Sequence, residues 1–421
     1  MTPGSAQDRS TGVLVVGAGE AGVNLALALR GGGYEPAILV VGNEPDPPYN
    51  RPPLSKDFLN SLVTEEDLSL REPQLYREQR IDVLSGTEIV ALEVGDAGSG
   101  SAETTEGFIH FDRVVLATGA RARELPVPGA QLDGVHYLRD LTDARRLRHD
   151  LDRAERVVVI GAGFIGLEAA AVVNARGIPV TVVGREERVL ERVGSAPLSE
   201  YLVAAHESAG VDFVMGAQVS ELTGAEGRVT GVRLADGRTL AADLVIAGIG
   251  AVPNIELARS IGLTCEGGIV VDRRCRTSNP HVLAIGDCTT TAHPHRPDSL
   301  LALESVQSAI NQAKVAAMEL IGGEEAGENV PWFWSNQASL KIQIAGVSHG
   351  YEQAVVRTSE KDSGLTVLYY LDGQLIAGDC VNRPSEFLAI KRALAKNMTI
   401  DPSLAVDVAT PLKKLVSPRK G

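Results

Sequence analysis

Short, uniformly apolar runs recur along the chain and are followed by the same kind of break. Val13-Leu14-Val15-Val16 and Val157-Val158-Val159-Ile160 show no polar alternation. That is the pattern of strands covered on both faces, as in a parallel sheet. Each run leads into a glycine turn, Gly17-Ala18-Gly19-Glu20-Ala21-Gly22 in one case and Gly161-Ala162-Gly163-Phe164-Ile165-Gly166 in the other. An alanine-rich stretch after each turn predicts a helix, ending near Arg176 in the second copy. A second apolar run follows, Ala37 to Val41 and Val180 to Val183. Arg113 to Gly119 and Asp243 to Gly250 then close the two copies alike, each as a strand ending in glycine. The repeat therefore covers a whole unit and reads as an internal duplication.

Between these runs the pattern breaks up. Pro45 to Pro53 carries several prolines without a period and reads as a rigid connector rather than an element. Gly95 to Ser101 is turn material within a meander of short strands. Ser278 to Cys288 is a short apolar strand ending in Gly286-Asp287, and Leu300 to Leu320 predicts a long helix with one apolar face. The Gly/Glu run from Gly322 to Asn329 reads as a linker. From Pro331 onward, runs such as Thr366 to Tyr370 and a helix from Glu386 to about Ala395 predict a small α+β domain. The expected fold is α/β, with two Rossmann-like nucleotide-binding domains and a C-terminal α+β domain. The boundaries are 11–119 with 248–325 for the first, 120–247 for the second and 326–421 for the third.

The paired glycine turns carry the chemistry. Glycines after a strand let a pyrophosphate approach the backbone, and the following helix start offers free N–H groups and a positive dipole end. One such turn is a weak signal; two, each between strand and helix, point to two dinucleotides on one chain and to electron transfer between them.

Composition narrows this reading. The 421 residues exceed one ordinary core. A formal net charge of −14 argues against a nucleic-acid binder. No basic start precedes an apolar segment, and no run reaches membrane-span length, so a soluble, cytoplasmic protein is expected. Cys265, Cys275, Cys288 and Cys380 have neither metal-ligand nor redox-pair spacing. No metal site and no dithiol relay are expected, and electrons reaching a flavin must leave directly from its ring.

The ends of the second strands differ. In the first copy the run ends Gly42-Asn43-Glu44, where an acidic side chain usually holds a ribose; a plain turn is the alternative. In the second it ends Gly184-Arg185-Glu186-Glu187-Arg188. A small residue followed by arginines accepts a 2′-phosphate, which points to NADPH use or at least to relaxed discrimination. A solvated Arg185, with Glu186 or Glu187 on the ribose, is the other reading. Lys56, just after the Pro-rich loop, is a lone lysine or a cation for a reduced flavin. Glu168, two residues past the second fingerprint, is a helix-start dipole partner or a site carboxylate. Trp332-Phe333-Trp334 reads as core packing or as a docking surface.

Taken together, Pro52-Pro53-Leu54-Ser55-Lys56, Leu116-Ala117-Thr118-Gly119, Gly163 to Glu168, Ala284 to Cys288, Trp332-Phe333-Trp334-Ser335 and Val381-Asn382-Arg383-Pro384 resemble the FAD-dependent ferredoxin reductases of bacterial oxygenase systems. These include the putidaredoxin reductase, rubredoxin reductase and dioxygenase reductase types. The resemblance implies a glutathione-reductase-type fold with FAD in the first unit and NADH or NADPH in the second. It places Gly17, Gly19, Ala21 and Gly22 at the FAD pyrophosphate and Asn43 at the adenosine ribose. Arg51, Lys56, Ile89, Thr118 and Arg139 add FAD contacts, Asp287 holds the ribityl chain, and Val306 lies by the isoalloxazine. Lys56 and Glu168 form a catalytic pair near the flavin, and Trp334 faces the flavin and the iron–sulfur partner. Gly161, Gly163, Gly166, Glu168, Arg185 and Gly250 fall to the nicotinamide nucleotide. The implied reaction is hydride transfer from NAD(P)H to FAD, then single electrons to a [2Fe-2S] ferredoxin supplying a cytochrome P450 or Rieske-type oxygenase. Asn43 and Gly184 depart from the acidic residues usual in that family. The rival readings are a rubredoxin reductase, an NAD(P)H oxidase, or a redox-sensing binding protein like apoptosis-inducing factor.

Overall fold

The computed structural model describes residues 8–323, 330–359 and 362–419. Residues 1–7 and residues 324–329 of the expected linker lie outside them. The chain divides into two compact units. The first comprises Met1–Asn50, Glu66–Arg121 and Val252–Asn329; the second comprises Arg51–Glu65, Ala122–Ala251 and Val330–Gly421. This division differs from the three-part reading in two ways. Arg51–Glu65 belongs with the second unit, because Leu59 is buried in its core beside Leu147, Val157 and Leu167. The central and C-terminal regions also share that core, which runs from Val182 and Leu198 to Ile342, Val367 and Tyr369.

In the first unit a parallel sheet orders its strands Ile81–Leu84, Ile38–Val41, Arg9–Val16, Gly107–Leu116 and Val282–Ala284. The register pairs Val13 with Ile38, Val16 with Leu116 and Val114 with Val282. Val13, Leu14 and Val15 are all fully buried, so both faces of the strand are covered and no alternation is needed. Gly100–Thr104 and Ile89–Val94 extend the sheet antiparallel beyond the start of Gly107–Leu116. Helices Glu20–Gly31 and Val306–Leu320 share a core through Leu25, Leu29, Ala309, Ala313 and Ala316. The second of these starts later than its apolar pattern predicts. Arg296–Leu301 is a strand paired antiparallel with Thr289–His293. Ser305 then caps the helix, its Oγ accepting from Ser308 N at 3.1 Å.

The second unit repeats the plan with strands Val211–Val214, Val180–Val183, Val157–Ile160, Leu244–Ala247 and Val135–Tyr137. The fifth strand precedes the fingerprint here; in the first unit it comes from far downstream. The C-terminal region is a five-stranded antiparallel sheet, ordered Trp332–Gln337, Leu340–Gly346, Gln374–Val381, Asp362–Leu371 and Gln353–Ser359. Helix Pro384–Ala395 packs into a separate core with Ala345, Leu368, Tyr370 and Leu375. The Pro-rich segment is more regular than expected: Pro52–Ser55 forms a 3-10 turn, since proline fixes φ near the helical value.

Candidate functional site

The two glycine turns are built alike and for the same steric reason. Gly17 and Gly161 have φ of +122° and +111°. A Cβ on Gly17 would stand 2.0 Å from Ala117 O, and one on Gly161 would stand 2.2 Å from Gly248 O. Gly22 and Gly166 are equally closed, at 2.0 and 1.9 Å from the carbonyls of Gly17 and Gly161. The middle glycines differ: a Cβ on Gly19 or Gly163 would meet nothing within 4 Å. Nothing within the chain therefore requires glycine there. Both are helix N-caps without a side-chain cap, so the N-cap residue takes none of the first helical N–H groups. This fits a pyrophosphate at each turn.

Around the first turn, the Gly286-Asp287 loop packs on the helix start. A Cβ on Gly286 would lie 3.0 Å from that of Ala21. Gly286 N donates to Gln312 Oε1 at 2.6 Å, which ties the loop to the helix that begins at Val306. Asp287 itself is half-buried. Thr118 is pinned: its Oγ1 donates to Asn254 O at 2.6 Å, and Asn254 Nδ2 donates to Thr118 O at 2.9 Å. Ile89 turns its side chain into the core. Asn43 is exposed, while the neighbouring Glu44 accepts from the Tyr49 hydroxyl.

In the second unit the structure brings Arg51 to Arg139, whose carbonyl accepts from Arg51 Nη1 at 2.9 Å. It also brings Lys56 to Glu168 across 112 residues of chain. Lys56 Nζ donates to Glu168 Oε2 at 2.8 Å, with side chains 14% and 2% exposed. Ser55 Oγ donates to the same oxygen at 2.5 Å, and Ser335 Oγ to Oε1 at 2.5 Å. Ser55 and Ser335 lie within motifs noted in the sequence, but nothing local marked them as partners of Glu168. The strand Trp332–Gln337 explains Ser335, because alternate residues share a face. Phe333 packs against Phe164 with ring centroids 4.6 Å apart, so the face that holds Phe333 and Ser335 is turned to helix Phe164–Ala175. Trp332 and Trp334 occupy the other face, 5.6 Å apart, with Lys391 Nζ 4.2 Å over the Trp332 ring.

At the tip of strand Val180–Val183, Gly184 is closed by Met215, whose Cε would lie 2.4 Å from a Cβ. Arg185 is 76% exposed, and its Nη2 donates to Glu186 Oε1 at 3.2 Å. Arg188 corrects the expectation of a second phosphate ligand. Its Nη1 donates to Gly194 O at 2.7 Å and Ser199 Oγ at 2.8 Å, and its Nη2 donates to Glu191 O. It serves the loop instead. Gly250 has φ of +114° and accepts from Arg123 N at 2.9 Å.

Two dinucleotide turns on duplicated parallel sheets, with a C-terminal domain whose strand reaches the Lys56–Glu168 pair, define a two-nucleotide oxidoreductase. The chain belongs to the pyridine nucleotide-disulphide oxidoreductase family, whose model matches residues 11–319, and a reductase C-terminal model matches residues 332–416. It is 40% identical to rhodocoxin reductase of Rhodococcus erythropolis over 97% of this chain and 95% of that one. It is 39% identical to putidaredoxin reductase of Pseudomonas putida over 97% of each. A crystal structure of the covalent putidaredoxin reductase–putidaredoxin complex matches with a TM-score of 0.91 and 39% identity, covering 96% of this chain and 98% of that one.

Proposed function

We propose that this chain is an NAD(P)H-dependent ferredoxin reductase, passing electrons from reduced nicotinamide through FAD to a [2Fe-2S] ferredoxin that supplies a cytochrome P450 or Rieske-type oxygenase. The observation that carries the reading is the pair of glycine turns, each closed by its own backbone at two glycines and open at the third. FAD, when bound, supplies the conversion of a two-electron hydride into single electrons. The chain supplies the holding and the charge. Gly17, Gly19, Ala21 and Gly22 take the FAD pyrophosphate, Asn43 the ribose and Asp287 the ribityl hydroxyls, with Arg51, Ile89, Thr118, Arg139 and Val306 as further contacts. Gly161, Gly163, Gly166 and Gly250 take the nicotinamide nucleotide. Lys56 offers its ammonium to the negative charge of the reduced flavin, and Glu168 orients Lys56 and the nicotinamide. Trp334 marks the ferredoxin surface, with Arg383, Lys391 and Arg392 as the basic residues at its rim.

Arg185 and the small Gly184 admit a 2′-phosphate, so NADPH is accepted alongside NADH. A cytoplasmic location belongs to the same proposal. The four cysteines are all free thiols, as suits a reducing compartment. Among the described residues no helix is long and apolar enough to cross a membrane.

The test is cytochrome c reduction by NADH or NADPH with and without added [2Fe-2S] ferredoxin, with a rubredoxin as the competing acceptor. A yellow protein with releasable FAD and a ferredoxin-dependent rate is expected. A colourless protein that takes up no FAD overturns the reading; a preference for rubredoxin changes the acceptor.

A further inference from the structure

Behind Glu168 a file of buried side chains continues in one direction. Ser335 Oγ lies 2.5 Å from Glu168 Oε1, Gln337 Nε2 lies 3.2 Å from Ser335 Oγ, and Gln337 Oε1 lies 2.9 Å from His206 Nε2. Ser335 and Gln337 are fully buried, and His206 is 3% exposed. The donor sense follows from the carboxylate. Glu168 faces the Lys56 ammonium, so it accepts, and the one proton of Ser335 must point at it. Ser335 can then only accept from Gln337, whose amide N–H₂ must face it. The Gln337 carbonyl therefore faces His206, and His206 must donate from Nε2. Burial lowers the His206 pKa, which keeps the ring neutral and Nδ1 without a proton. Every dipole in the file points toward Glu168, and such chains strengthen along their length.

We propose that Ser335, Gln337 and His206 are positioning residues that hold the Glu168 carboxylate in one orientation on Lys56. The proposal rests on the reading of Lys56 and Glu168 as the pair that serves the flavin and nicotinamide. The placement is economical in chain terms. Ser335 and Gln337 sit on one strand face, and His206 comes from helix Ala196–Ala209. None of the three needs to touch a cofactor to act.

Two pairs of variants test it. Ser335→Thr keeps the hydroxyl and Ser335→Ala removes it; His206→Gln keeps an N–H donor and His206→Leu removes it. All are made in the FAD-loaded enzyme. FAD content and NAD⁺ affinity by calorimetry should stay within about twofold of the parent in all four, because the chain positions rather than binds. The limiting rate of flavin reduction in stopped flow should fall about tenfold in the Ala and Leu variants, while Thr and Gln restore it to within about twofold. In [15N]histidine-labelled parent enzyme, His206 should show the neutral Nε2–H tautomer near pH 7.5, and that bias should fade in Gln337→Leu. An Nδ1–H tautomer in the parent overturns the direction. Equal rates in the two members of both pairs overturn the positioning role. If the parent shows no ferredoxin-dependent rate at all, the function reading fails, while the tautomer measurement still decides the chain.

Discussion

The two glycine turns differ in what surrounds them far more than in how they are made. Gly17 and Gly161 share a positive φ and a carbonyl within 2.2 Å of the missing Cβ, and Gly22 and Gly166 share the closure behind them. Beyond the turn the units part. The second strand of the first unit ends at exposed Asn43, with Glu44 accepting from Tyr49. That of the second ends at Gly184, Arg185 and an Arg188 bonded to its own loop. The second unit also buries an ion pair, Lys56 with Glu168, inside hydroxyl donors. A steric rule makes a dinucleotide turn; which nucleotide it takes, and what happens there, is set by side chains that the turn does not constrain.

The largest effect should come from filling the turns. Gly17→Ala puts a methyl 2.0 Å from Ala117 O at a φ that alanine resists. The strain is on the order of 3 kcal/mol, and flavin content per protein, read by absorbance, should collapse. Gly161→Ala carries the same clash with Gly248 O but should spare the flavin and abolish nucleotide binding. Loss of FAD in both variants would break the assignment of one nucleotide to each unit.

Lys56→Met should come next. It leaves a carboxylate that is 2% exposed facing two serines and no cation. Breaking a buried pair costs about 3–5 kcal/mol, and the serine donors should hold the loss near the lower end. Thermal unfolding measures it. An unchanged midpoint would mean that Ser55 and Ser335 alone satisfy Glu168.

A pH dependence then separates the C-terminal sheet from the rest. Asp379 is fully buried, accepts from the Tyr369 hydroxyl, and burial pushes its carboxyl up to about 7. The folded state therefore holds the proton more tightly than the unfolded chain, whose carboxyl titrates near 4. The stabilisation is full below about pH 4 and is lost as pH rises through about 7. Asp379→Asn should remove that slope. Between pH 5 and pH 8 the parent should lose stability relative to the variant, as denaturant midpoints would show; parallel midpoints would place the titration elsewhere.

The smallest effect concerns nucleotide choice. Arg185→Ala should lower kcat/KM for NADPH about tenfold, a change of about 1.4 kcal/mol, and leave NADH nearly untouched. Gly184→Glu should shift the preference toward NADH by a similar factor, once Met215 Cε moves from its place 2.4 Å from the new Cβ. A parent that already prefers NADH several hundredfold would leave Arg185 as a solvated residue and give the ribose to Glu186 or Glu187.

Local pattern carried much of the architecture. Val157–Ile160 and Val180–Val183 are strands as their apolar runs predict, because two covered faces demand such runs. The pattern failed where two structures suit the same residues. Leu300 and Leu301 fit the helical face of Val306–Leu320 but belong to a strand, because the pairing of Arg296–Leu301 with Thr289–His293 takes them and Ser305 starts the helix later. Arg188 looked like a phosphate ligand because its type is right; only the fold shows its guanidinium closed by Gly194 and Ser199.

By itself the sequence determined the two turns, their strands and helices and the class of ligand they hold, since these depend on residues within a few positions of one another and on backbone sterics. Tertiary structure alone decided that Ser55 and Ser335 join Lys56 at Glu168 and that Gln337 and His206 stand behind it. The hydrogen-bonded pairs among them lie up to 167 residues apart. Hydrogen bonds over such separations leave no periodicity in the chain; they exist only once sheet register and helix packing have set which faces meet.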